Sequence, residues 1–187
     1  MRKLKFNQSM IDEAVKKAKN LGAINHSITS GGGNVAGYLA EIALADDLQC
    51  NNISCDEGSE KYNYDLIKDG LKIDVKTKRR TVDPRPSYAV SIAETSKHQE
   101  TDTYAFISIT FREKRGKGCG ATYHGLTSIW LCGFMPKKEY FEQAEFWKKG
   151  DVDPSNGFRV HADMYNLPMS SLNCYALTSE KKMQKRY

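Results

Sequence analysis

Apolar and polar positions alternate along this chain with two different periods, and the change of period divides it into a helical front and a strand-rich middle. Residues 8–20 (QSMIDEAVKKAKN) place Ile11, Ala14, Val15 and Ala18 at helical spacing, with Gly22 soon after as a stop. A polar, glycine-rich connector (INHSITSGGGN) follows; it lacks the Gly-Lys-Ser/Thr ending of a phosphate-cradling P-loop. A second helix is predicted over 34–48, with Val35, Tyr38, Leu39, Ile42 and Ala45 on one broad face and Glu41 at its border. From residue 62 the period shortens. YNYDLIKDGLKIDVKTK reads as two strands joined by Asp69-Gly70, a strong hairpin signal. Residues 87–94, 103–111 and 121–134 carry the β-branched and aromatic content of further strands. Pro136 opens a short helix over 137–147. The last forty residues read as irregular, with weak strand signals near Phe158–His161. With no repeat and no dividing linker, the expectation is one α/β domain over 1–187: a core at about 34–145 and an irregular extension at about 148–187.

Composition adds bounds. A chain of 187 residues, 40% hydrophobic and 27% charged, buries a core without help from disulfides or structural metals. No apolar run approaches the roughly 18 residues needed to span a bilayer, so no membrane association and a cytoplasmic location are expected. Five cysteines (Cys50, Cys55, Cys119, Cys132, Cys174), an odd number without a signal peptide, read as reduced thiols. Cys50 and Cys55 form one close pair and lack the second pair that structural zinc sites use. The net charge of +5 is unevenly spread: residues 76–86 carry +4, while 112–118 and 179–187 carry +3 each. Local potential of this kind attracts a polyanion. Taken singly, each segment is better read as a solvated loop or a frayed tail.

The hairpin concentrates the chemistry. A two-residue turn at Asp69-Gly70 pairs Lys68 with Leu71, Ile67 with Lys72 and Leu66 with Ile73. Asp65 then falls opposite Asp74, and Tyr64 opposite Val75. By strand alternation, Tyr64, Leu66, Ile73 and Val75 share a core face, while Asp65, Asp74 and Lys76 share the other. Two directly opposed carboxylates repel, at about 5 Å for paired positions. A proton or a hard cation such as Mg²⁺ relieves that repulsion. Such an ion with an adjacent amine makes an economical kit for phosphodiester hydrolysis. On the hairpin alone, a solvent-facing surface with Lys72 and Lys76 neutralising the acids is an equal reading.

Asp65, then eight residues, then Asp74-Val75-Lys76, preceded by a helix bearing Glu41, resembles the PD-(D/E)XK nuclease superfamily, although Tyr64 stands where the motif's proline would be. The later run IWLCGFMPKKEYF resembles small phage-encoded members, and the resemblance covers roughly residues 34–145. It implies a restriction-endonuclease-like α/β fold, a mixed central β-sheet of about five strands flanked by helices. It implies catalytic Glu41, Asp65, Asp74 and Lys76. The metal would lie on Asp65, Asp74 and the Val75 backbone carbonyl, with Glu41 binding the ion directly or through water. The function implied is Mg²⁺-dependent hydrolysis of DNA, with Mn²⁺ as a substitute and RNA left open as a substrate. An endonuclease of phage or bacterial DNA metabolism is expected, in the host cytoplasm if phage-encoded. Cutting both strands would favour a homodimer. Lys78, Arg79, Arg80 and Arg85 are expected to contact nucleic acid, and Gln99 to support the site. His98, His124 and His161 have no spacing that marks a general base. The competing readings are a nucleic-acid-binding module that keeps the fold without cutting, and an interaction protein whose hairpin is only surface.

Overall fold

The structure, a computed structural model, describes residues 1–21, 34–50, 63–111, 125–153, 157 and 159–173. The glycine-rich connector, both outlying basic segments, Cys55, Cys119, Cys174, His124 and Phe158 lie outside the described residues.

Asn7 starts the first helix, α1 (Gln8–Leu21), by accepting the Met10 N–H on its side-chain oxygen at 3.0 Å. The second helix, α2 (Asn34–Leu48), has the bounds expected of it. It is buried almost all round from Ala36 to Ala45, because it lies between α1 and the sheet. Gln49, at φ 52°, ends it in a left-handed turn in which the Cys50 N–H reaches back to the Ala45 carbonyl at 3.0 Å.

A five-stranded mixed sheet follows, built from β1 (Arg2–Leu4), β2 (Leu66–Lys68), β3 (Leu71–Arg80), β5 (Thr103–Phe111) and β6 (Leu126–Pro136) in the order β1-β6-β5-β3-β2. The β3–β5 pair is parallel and the other pairs are antiparallel. Strand alternation divides this sheet between two cores. Ile73, Val75, Ala105, Ile107 and Ile109 pack against Leu39, Ala40, Ala43 and Leu44 of α2. Tyr104, Phe106, Cys132 and Met135 face the other way. They are covered by α3 (Lys137–Gln143) and a second sheet, β4 (Ala89–Ala93), β8 (Met164–Pro168) and β7 (Glu145–Trp147), in the order β4-β8-β7.

The second sheet corrects the sequence reading in two places. The helix expected over 137–147 stops at Gln143, and Glu145–Trp147 forms a strand instead. The region expected to be irregular contains β8, and Leu167, Met169 and Leu172 are core residues. Alternation over three to five residues is too short a signal to separate from loop. Gly133 anchors this segment. Its φ of +152° and missing side chain let Asn173 bridge to Phe134, where a Cβ would lie 2.7 Å from Leu172 Cβ. No helix among the described residues is long and apolar enough to cross a membrane.

Candidate functional site

The turn at Asp69-Gly70 places both residues at left-handed φ, 52° and 80°, which a tight two-residue hairpin of this hand requires. The register is the one its sequence predicts: Lys68 with Leu71, Ile67 with Lys72, Leu66 with Ile73. The ladder then ends at Leu66–Ile73, before the expected Asp65–Asp74 and Tyr64–Val75 pairings. The Asp65 N–H donates to the Ile73 carbonyl at 2.8 Å, and the Asp65 carboxylate accepts the Val75 N–H at 2.6 Å. A carboxylate thus stands where a backbone carbonyl would have bonded, and a charged acceptor is the stronger of the two.

In this position Asp65 feels the charge of two other acids. Burial first, then the charges of Glu41 and Asp74, hold its carboxyl well above the usual carboxylate range, although part of the residue's surface stays open. The Val75 N–H and the Lys76 amine pull in the opposite direction and do not compensate. Glu41, on α2, is 8% exposed and Asp74 is 3% exposed. Paired strand residues send N–H and C=O to the same side. The Val75 carbonyl therefore points with its N–H toward the end of β2, beside Asp65.

Lys76 follows Asp74 on the same face. Its Nζ forms an ion pair with Asp74 Oδ2 at 2.6 Å and donates to Gln99 Oε1 at 2.8 Å. Gln99 Nε2 donates to Asp74 Oδ1 at 3.0 Å, closing a three-membered ring of contacts. The amide orientation is dictated by its partners, because an ammonium only donates and a carboxylate only accepts. Gln99 is itself held from behind: its N–H meets the Ser96 carbonyl at 3.2 Å, and its carbonyl accepts the Lys137 amine at the start of α3. Gln99, the residue expected to support the site, therefore touches both Asp74 and Lys76.

Tyr104 is a member of this neighbourhood that the sequence reading passed over. Parallel pairing of β3 with β5 sets it beside Asp74. Its ring lies 5.8 Å from the Lys76 amine, and its hydroxyl is buried without a hydrogen-bond partner among the described residues. Burial, followed by the charge of Asp74, raises the phenol's pKa above its ordinary value. No local signal marks which strand will lie parallel to β3, so Tyr104 was not readable from its own surroundings.

The four basic residues expected to form one nucleic-acid surface do not share a face. Arg79 lies on the α2 side of the sheet with its guanidinium 4.7 Å from the Phe111 ring, as alternation from Ile73 and Val75 demands. Arg80 shares a face with Lys76, but its guanidinium is occupied by Ser108 Oγ at 3.1 Å, the Ala89 carbonyl at 3.2 Å and the Tyr88 ring at 5.0 Å. Lys78 and Arg85 are surface-exposed. The Lys78 amine still sits in a crowded setting, which together with Arg80 lowers its pKa. His98 and His161 are exposed.

Among the described residues, no three His, Cys, Asp or Glu side chains converge closely enough to hold a metal ion. Magnesium commonly binds through one or two carboxylates and keeps several waters, so convergence of three is not its requirement. Asp65, Asp74, Glu41 and the Val75 carbonyl are all hard oxygen donors. The acid crowding that raises Asp65 is what a divalent cation would relieve. The donor set fits such an ion, which would compete with the Lys76 amine for Asp74. Comparison of the chain with protein-family models, curated proteins and solved structures finds no match.

Proposed function

We propose that this chain is a divalent-metal-dependent nuclease of the PD-(D/E)XK type, its mixed sheet serving as a restriction-endonuclease-like core. The observation that carries the reading is the crowding of Asp65 by Glu41 and Asp74, with Lys76 and Gln99 locked onto the same Asp74. Surface hairpins neutralise their acids with solvent-exposed lysines; this one buries more carboxylate than its lysine offsets.

Asp65, Asp74 and the Val75 carbonyl would hold Mg²⁺, or Mn²⁺ in its place, with Glu41 contributing directly or through water. When bound, the ion would polarise the scissile phosphate and lower the pKa of water. Lys76 would stabilise the negative charge that grows on the phosphate as the bond breaks. Gln99 keeps the amine aimed at the site when Asp74 no longer binds it. Lys78 and Arg85 attract the sugar–phosphate backbone without reading sequence. None of these groups needs to become covalently attached to the substrate, and DNA is the proposed substrate. A binding module that has lost cleavage is the second reading, favoured by the tight Lys76–Asp74 pair.

Circular plasmid, linear duplex and single-stranded DNA, each incubated with Mg²⁺, separate these readings. Nicked or linearised circles support an endonuclease, and shortening of linear DNA alone supports an exonuclease. Binding without any cleavage in Mg²⁺ or Mn²⁺ would leave the module. A single-stranded RNA added to the series decides whether the sugar matters.

A further inference from the structure

An aromatic shelf stands beside the site at the margin of the small sheet. Phe146 of β7 is paired with Tyr165 of β8, which is paired with Ile92 of β4. Paired residues share a face, and Ile92 lies in the second core, so this row points inward toward the Asp74–Lys76 side of the large sheet. The Phe146 and Tyr165 rings are 5.0 Å apart, and Phe141 of α3 meets Tyr165 edge-on at 4.9 Å. The row is not closed over at its end, since Phe146 keeps 43% of its surface exposed. Lys97 reaches across from the turn after β4. Its amine donates to Tyr165 Oη at 3.2 Å and lies 5.2 and 5.5 Å from the Tyr165 and Phe141 rings. Two residues later the chain reaches Gln99, which holds Asp74 and Lys76, and two residues span at most ~7 Å. Lys97 at the rim of the shelf and Gln99 at the site therefore sit on one short segment.

An open aromatic face with an ammonium at its rim matches a base and its phosphate. Every base has a π-face to stack, and the base must be unpaired to offer it. Of the acids nearby, Glu94 acts on Lys97 only as the weakest of the influences on that amine, behind its hydrogen bond to Tyr165. Glu145 alternates to the other face of β7, and Glu142 is within 4.0 Å of Lys138. A protein partner is the weaker fit, because a stable interface takes about 20–30 residues a side. Among the described residues only Val82, Phe146 and Val152 are large exposed hydrophobics. We infer that Phe146, Tyr165 and Lys97 form a stacking subsite for an unpaired nucleobase, making single-stranded DNA, or a single-stranded branch on a duplex, the substrate class. The inference rests on the nuclease reading for its consequence and on the shelf for its chemistry.

The test is fluorescence anisotropy with a labelled single-stranded oligonucleotide and a duplex of equal length, in EDTA so that cleavage plays no part. Phe146→Leu keeps the apolar volume and removes the π-face; Lys97→Gln removes the cation. Wild-type protein is expected to prefer the single strand. Phe146→Leu should lose about five-fold or more of that affinity, the low end of one stacked base. Its duplex binding and melting temperature should stay unchanged. Lys97→Gln should lose affinity with a shallower salt dependence. Equal single-strand affinity in Phe146→Leu and wild type overturns the inference. So does a wild-type preference for duplex, or a loss that is the same on both substrates. Stacking without cleavage in Mg²⁺ would sink the nuclease reading alone; cleavage with no effect of Phe146→Leu would sink the shelf alone.

Discussion

Replacing Lys76 with methionine removes the amine while keeping most of the side chain's volume, and leaves Asp74 with Gln99 as its remaining polar contact in the ring. Breaking a fully buried ion pair from one side costs about 3–5 kcal/mol. Lys76 keeps 21% of its side chain exposed, and Gln99 still donates to the carboxylate at 3.0 Å. A loss of roughly 2–3 kcal/mol is therefore expected, below the fully buried range. For a chain of this length that corresponds to a fall of about 5–10 °C in melting temperature. The informative step is to repeat the melt with Mg²⁺. A ligand at one hundred times its Kd stabilises by about 2.7 kcal/mol, similar to the loss itself. In the wild type the cation must compete with the amine for Asp74; in Lys76→Met it does not. Differential scanning fluorimetry across a Mg²⁺ series should show the variant gaining more than the wild type, with the gap between them closing at millimolar ion. No shift in either protein would refute the claim that these acids form a cation site, and equal shifts in both would refute the competition with Lys76.

Asp65→Asn should abolish cleavage yet stabilise the metal-free fold at neutral pH. The native carboxyl holds its proton to higher pH than an unfolded aspartate, whose pKa is about 3.9. The native state thus binds more protons above that value, and stability falls as pH rises through the window up to the raised native pKa. Asparagine removes this slope and can still accept the Val75 N–H; a variant melting below wild type at pH 7 would count against the crowding argument. Tyr104→Phe removes a buried hydroxyl with no partner among the described residues and should stabilise by about 1 kcal/mol, or at least cost nothing. A clear drop in melting temperature would reveal a partner for it. Gly133→Ala forces a Cβ to within 2.7 Å of Leu172 Cβ and 2.9 Å of the Asn173 carbonyl, at a φ of +152°. A destabilisation of about 2–4 kcal/mol by urea denaturation is expected, within the range for overpacking and backbone strain.

How far the sequence could be read depended on whether the deciding interaction was local. The α2 helix, the β5 strand and the β2–β3 register follow from short patterns, and the turn at Asp69-Gly70 aligned Leu66 with Ile73 before any tertiary contact was considered. The departure at Asp65 arises where a side chain outcompetes a backbone carbonyl, which a pairing diagram cannot express. Arg79 is a different case: its parity with Ile73 and Val75 already put it on the core side, and grouping it with Lys78 by charge overrode that geometry. The second sheet was hidden because β7 is three residues long and β8 five, each too short to show a period. Tyr104 and Lys137 enter the site through the β3–β5 pairing and the packing of α3, both non-local.

The most direct test of the account is to crystallise the protein with Mn²⁺ and locate the ion by its anomalous scattering. An ion bonded to Asp65 and Asp74, beside the Val75 carbonyl, with the Lys76 amine moved off Asp74 but still on Gln99, is the expected result. An Mn²⁺-saturated crystal in which Lys76 remains paired with Asp74 and no anomalous peak lies near Asp65 would contradict it.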